Sequence, residues 1–256
     1  MIHPISVFLL LILILPIPAV EPTIPQFLQE ISVTVRTKET QGSGVILLRG
    51  DTNFVLTAGH VIRGLRHQES SINEHKERVF FNDAEVVQEL IEDGRKVGVL
   101  SFTAKVISYS KAEKPGEDLG LLQLYKKRAY AKSVTFYVDN IPPVGTNLFH
   151  CGSLLGQFGA NSMTTGIISQ LGRTLDDTVY DQTSCTTFPG SSGGGVFTTD
   201  GRYIGMVVRG AGEGFNFIVP VRRIRTWTNR IKAGFVFDEK KPITIPILEE
   251  TFNAIP

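Results

Sequence analysis

The sequence predicts an all-β protein whose many short strands close into barrels or a sandwich. Three observations point there. Short apolar runs recur along the 256 residues, with Gly or Asp at most of the breaks. A count of 25 Gly and 13 Pro in a chain that is 42% hydrophobic suits strands joined by turns, and fits neither a coiled coil nor a disordered polymer. Only one segment carries convincing helical periodicity: Val221, Ile224, Trp227 and Ile231 fall on a single apolar stripe near the C-terminus.

Taken in order, the N-terminal Val7–Leu15 run is unbroken and apolar, and Pro16 and Pro18 end it. It reads as a signal peptide over residues 1–20, cut after Ala19, or as a retained anchor, and it implies a secreted or extracytoplasmic protein. Strands are then expected at Ile31–Val35, Gly44–Leu48, Asn53–Ala58, Val97–Phe102, Ala104–Tyr109 and Leu119–Leu124. A second series covers Thr146–His150, Thr164–Leu171, Gly195–Thr198, Tyr203–Val208 and Phe215–Val219. The polar stretch Arg66–Glu92 is expected to be an exposed loop, and Lys126–Pro143, with its charges and Pro-Pro pair, a boundary between sub-barrels.

With 26 basic against 25 acidic side chains, the formal charge of +1 supplies no field to hold the chain on nucleic acid or an anionic membrane. No nucleic-acid partner is expected, and a membrane only if the N-terminal segment is retained. Cys151 and Cys185 stand outside any CxxC pair or His cluster, so two isolated buried thiols are expected, with no metal and no cofactor. His67, His75 and His150 lack ligand spacing and are expected in loops or strands.

Three motifs carry chemistry. In Pro189–Gly194, glycines flank Ser191 and Ser192, as a nucleophile needs when its hydroxyl must be exposed on a tight turn with backbone N–H groups aimed at one point. Thr57-Ala-Gly-His60 places an imidazole where a strand ends, and Glu117-Asp118-Leu-Gly-Leu-Leu122 opens a strand with an acid able to fix that imidazole's tautomer. Each motif alone has an ordinary structural explanation. Together they run in the order His, Asp, Ser, on a background of short strands.

In these motifs the sequence resembles the chymotrypsin-type serine peptidases, in particular the HtrA (Deg) and bacterial or viral trypsin-like branch. TAGH at 57–60, DLGLL at 118–122, GSSGG at 190–194 and the GSGVI segment at 42–46 carry the likeness, which extends over roughly Ile31–Ile231. The resemblance implies two six-stranded antiparallel Greek-key β-barrels with a C-terminal helix. The peptidase domain would then span 21–231, with sub-barrels at about 31–125 and 144–220, a closing helix at 221–231 and a tail at 232–256 too short for a PDZ-like module. It also implies a serine endopeptidase acting on protein or peptide substrates through an acyl-enzyme. Ser192 would be the nucleophile, His60 the general base and Asp118 the orienting acid, with an oxyanion hole at the N–H groups of Gly190 and Ser192.

Departures from the family pattern are informative. Where digestive members have an acid that pairs with a newly cut N-terminus, this chain has Ser191, so no activating cut is expected. Where Lys- and Arg-specific members have an acid, it has Thr186, which implies a neutral or small apolar P1 side chain. The strand through Val207, Val208 and Arg209 is expected to pair with the substrate backbone, and the glycines of Arg209–Gly214 to allow its close approach rather than to cradle phosphate. Arg222, Arg223, Arg225 and Arg230 are expected on a solvated helix face. Two other functions use the same features: a peptide-binding pseudoprotease, against which the complete set of three residues weighs, and an esterase with the same triad.

Overall fold

The computed structural model describes residues 22–69, 76–92, 95–114, 116–245 and 249–251. The apolar run Val7–Leu15 and His75 lie outside them. A capped helix α1 (Ile24–Glu30) leads into β1 (Ser32–Arg36), β2 (Gln41–Arg49) and β3 (Thr52–Thr57), and a short helix α2 (Gly59–Ile62) follows. A side hairpin of β4 (Arg66–Glu69) and β5 (Lys76–Phe81) comes next, then β6 (Ala84–Glu92), β7 (Arg95–Ser110) and β8 (Leu119–Leu124). Strands β1-β2-β3-β8-β7-β6 form a closed antiparallel barrel, because β6 pairs back onto β1. Its interior is filled by fully buried side chains such as Ile46, Phe54, Leu56 and Leu121. Closure leaves these six strands without a free edge.

The second half consists of β9 (Thr135–Phe136), β10 (Asn147–Leu154), β11 (Gly159–Leu175), β12 (Thr178–Thr183), β13 (Gly195–Thr198), β14 (Arg202–Gly210) and β15 (Asn216–Pro220). Six of these, β13-β10-β11-β12-β15-β14, form a second antiparallel ring that the β13–β14 pairing closes, and β9 lies parallel to β14 on its outside. The barrel pair expected from the resemblance is therefore present, and the sandwich alternative is not. Helix α3 (Val221–Arg230) buries Ile224 and Trp227, as its apolar stripe requires. Among the described residues no helix is long and apolar enough to cross a membrane.

Four expectations need correction. Arg66–Glu92 is not a loop: it supplies β4, β5 and β6, and β6 buries Ala84, Val86 and Gln88 along one face of the strand. The two strands expected at Val97–Phe102 and Ala104–Tyr109 are one, since β7 keeps its pairing with β6 from Arg95 through Ala104. The residues after α3 are more than a tail. Phe235 packs on Phe54 with ring centroids 4.9 Å apart, Arg49 donates to the carbonyls of Phe235 and Val236, and β16 (Glu249–Thr251) joins β5. The arginines of α3 are also not merely solvated. Arg222 grips Asp181 with two bonds of 2.6 Å, and Arg223 and Arg230 both reach Glu117.

Candidate active site

The first half of the site follows from strand order. Because β3 and β8 are antiparallel neighbours, with Thr57 opposite Gly120, the end of one lies beside the start of the other. His60 in α2 and Asp118 just ahead of β8 thereby meet across 58 residues of sequence. Asp118 Oδ2 is 2.9 Å and Oδ1 3.1 Å from His60 Nδ1, and the backbone N–H of His60 donates to Oδ1 at 2.9 Å. A carboxylate can only accept, so Nδ1 carries the imidazole proton and Nε2 is left as the basic nitrogen. The Asp118 side chain is 2% exposed and that of His60 35%, so the acid is hidden while the base is partly open to solvent. Gly59 is dictated by this approach: a Cβ there would stand 2.1 Å from the Ser110 carbonyl oxygen.

Ser192 enters from the other barrel on the turn before β13. Its carbonyl accepts from the N–H of Ser43 on β2 at 2.7 Å, while the N–H of the next residue, Gly193, donates to Val207 of β14 at 2.8 Å. The serine is thus pinned between the two barrels. Ser192 is half-buried and lines a pocket, whereas Ser191 is buried with its Oγ accepting from the Phe188 N–H at 3.1 Å. No hydrogen bond joins Ser192 Oγ to His60 among the described residues, a separation common in sites without substrate.

The N–H groups of Gly190 and Ser192 have no partner among the described residues, and each is aimed by the carbonyl of its own peptide unit. The Pro189 carbonyl accepts from Leu155 N–H at 2.7 Å, and that of Ser191 from Gly194 N–H at 2.8 Å. Carbonyl and N–H point in opposite directions across a planar trans peptide, so anchoring both carbonyls turns both donors outward. Gly190 holds φ at +98°, and its own carbonyl accepts from Ser43 Oγ at 2.7 Å. Ser43 Oγ in turn accepts from Ser153 N–H at 2.7 Å. Ser43 and Leu155 went unrecognised in the sequence as site residues. Ser43 lies inside the quoted GSGVI segment, but nothing in that pattern reveals a hydroxyl bonded to residues more than a hundred positions away.

Thr186, Val207, Val208 and Arg209 line one open pocket of about 600 Å³ together with Ser192. Its inner wall is neutral. Asn216 is buried, accepts from Thr187 Oγ1 at 2.7 Å and donates to the Cys185 carbonyl at 2.8 Å. Arg209 is drawn toward Asp176, 3.2 Å away, and Glu213 is exposed. The cysteines are both free and buried, and burial pushes the Cys151 thiol up to about 11. His67 and His150 lie in strands, and His150 is buried against Gly195, whose carbonyl is 3.0 Å from its Nδ1.

Comparison with known proteins agrees with this architecture. A family described as "Trypsin-like peptidase domain" matches residues 42–206. The protein "Serine protease HtrA-like" of Staphylococcus aureus (strain USA300) is 24% identical over 205 residues, covering 74% of this chain. The match spans only 23% of that relative's own length. Among solved structures, Deg5 aligns with a TM-score of 0.58 at 20% identity, over 83% of this chain and 93% of that one. The serine endoprotease from Yersinia pestis aligns with a TM-score of 0.56 at 21% identity, over 86% and 68%. At such identities the structural likeness carries the fold alone.

Proposed function

The chain belongs to the trypsin-like peptidase family, and from that premise we propose that it is a serine endopeptidase cleaving protein substrates outside the cytoplasm through an acyl-enzyme. The observation that carries this reading is the His60–Asp118 pair, closed by bonds of 2.9 and 3.1 Å, with Ser192 on the lining of an open pocket. In this reading Nε2 of His60 takes the proton of Ser192 as Oγ attacks the scissile carbonyl, and later gives it to the leaving amine. Asp118 holds the tautomer and stabilises the imidazolium. The N–H groups of Gly190 and Ser192 receive the oxyanion, where one such donor is typically worth about 3 kcal/mol. Thr186 shapes the P1 pocket, and the strand from Val207 to Arg209 pairs with the peptide.

Ser191 supports the choice of nucleophile and the absence of an activating cut, because its hydroxyl is already used within the turn, by the Phe188 N–H. The test is a fluorophosphonate probe on the purified chain lacking residues 1–19, beside Ser192→Ala. Labelling mapped to Ser192 and abolished in the variant is expected. A folded protein that stays unlabelled would instead indicate a peptide-binding scaffold, and labelling with ester turnover but no proteolysis an esterase.

A further inference from the structure

Asp118 sits in a conformation that non-glycine residues adopt uncommonly, aspartate more often than most. Its φ is +56°, in the left-handed region, where a non-glycine residue persists only if its surroundings hold it, at a cost of order 1 kcal/mol or more. What holds it is legible in the hydrogen bonds. One side of that dihedral is the peptide plane joining Glu117 to Asp118, and this plane is gripped at both ends. Its N–H donates to the Lys111 carbonyl at 3.0 Å, and its carbonyl, that of Glu117, accepts from Arg223 Nη2 at 3.4 Å.

Arg223 belongs to α3, outside the barrel that carries Asp118, and each of its three guanidinium nitrogens donates. Nε and Nη2 hold the Glu117 carboxylate at 3.1 and 2.7 Å, Nη1 donates to the Val179 carbonyl at 2.8 Å, and the group lies 4.9 Å from the centre of the buried Tyr180 ring. The side chains of Arg223 and Glu117 are 14% and 19% exposed, so solvent screens the pair only partly. Arg230 adds a second cation at 3.1 Å from the other carboxylate oxygen. Burial pushes the Glu117 carboxyl upward, but the two arginines outweigh it and leave it below the usual carboxylate range.

We infer that Arg223 is a positioning residue: through Glu117 it clamps the peptide plane that keeps Asp118 in its left-handed conformation, and so keeps the carboxylate on both the ring and the backbone N–H of His60. The inference rests on the proposed catalytic reading and extends it to a helix from the other half of the molecule. A merely structural ion pair would lower stability without touching the base. A positioning pair must alter the base itself, because a displaced carboxylate stabilises the imidazolium less.

The experiment compares wild type with Arg223→Ala, Arg223→Lys, Glu117→Gln and Arg230→Ala, measuring kcat and KM for one neutral-P1 peptide across pH. Expected for Arg223→Ala is a loss of at least tenfold in kcat with KM within twofold, and an acidic limb of kcat/KM displaced to lower pH by about half a unit or more. Arg223→Lys should recover part of kcat, because a point charge can meet Glu117 without the fork. If Arg223→Ala fails to fold, Glu117→Gln and the half-exposed Arg230→Ala must still move the acidic limb in the same direction, by less. A fall in melting temperature with kcat within twofold and an unmoved limb overturns the inference while leaving the peptidase reading intact. A wild-type chain that neither turns over nor labels at Ser192 overturns the peptidase reading, and this one with it.

Discussion

Thr186 shows what one residue decides. It lines the pocket beside Ser192, where the walls are Thr187, Val207, Val208 and a buried Asn216 whose bonds are spent on its neighbours. The ionised residues on the lining are Arg209, paired with Asp176, and the exposed Glu213, so no buried acid awaits a cationic P1 side chain, and burying an unpaired ammonium is expensive. Peptides with Ala, Val or Leu at P1 should therefore be cut at least tenfold faster than their Lys counterparts, as kcat/KM in matched substrates. Thr186→Asp should narrow or reverse that ratio, and an unchanged ratio would remove Thr186 from the specificity site. The three motif residues themselves were readable because each needs a distinctive neighbourhood, such as Gly59 packed against a carbonyl. Ser43, Leu155 and Arg223 were not, because a hydroxyl, a backbone N–H and a surface-like arginine acquire their roles only from partners remote in sequence.

At the scale of elements, the turn from Phe188 to Gly195 is the most constrained piece. Gly190 combines a φ of +98° with no room for a Cβ, which would meet backbone atoms at 2.3 and 2.5 Å, Ser153 O and Gly156 N. Backbone cannot rotate aside as a side chain can. Gly190→Ala should displace its own N–H and lower kcat by about a hundredfold or more, the usual effect of losing one oxyanion donor, while circular dichroism stays near wild type and the melting temperature falls, because alanine at this φ strains the turn. Full activity in that variant would mean that this N–H takes no part. Strands with regular apolar patterns were legible, and Leu119–Leu124 and Gly195–Thr198 begin and end where the sequence places them. β12 was not, for a physical reason. Its Asp181, Gln182 and Thr183 are polar yet buried, and they are tolerated because Arg222 pairs with Asp181 and Arg173 donates to Gln182 at 2.6 Å. Hydrophobic periodicity is blind to a strand stabilised by such pairing.

For the whole molecule, the most consequential titration outside the site is that of His150, buried on β10 behind the nucleophile turn. Burial drives its pKa down to about 4, against a backbone hydrogen bond to Gly195 that opposes the change. The unfolded chain binds this proton more readily than the folded one, so stability is whole above the unfolded value of about 6.5 and falls as pH drops toward 4, by about 3 kcal/mol in total. Chemical denaturation across that window should show the loss, and His150→Gln should flatten it. An equally steep dependence in a folded variant would assign the effect elsewhere.

By itself the sequence determined an all-β chain, the order and identity of the three motif residues, the apolar stripe of α3 and the neutral character of position 186, because these depend on local pattern and residue chemistry. The resemblance implied the pair of barrels, and only the tertiary structure decided that β6 completes the first and that residues after α3 pack against it. It alone brought Ser43 to the Gly190 carbonyl and Arg223 to the peptide plane of Asp118. Ring closure and such long-range hydrogen bonds depend on which strand edges and polar groups find each other once the core is buried. That outcome is a property of the packed chain, and no local window of residues contains it.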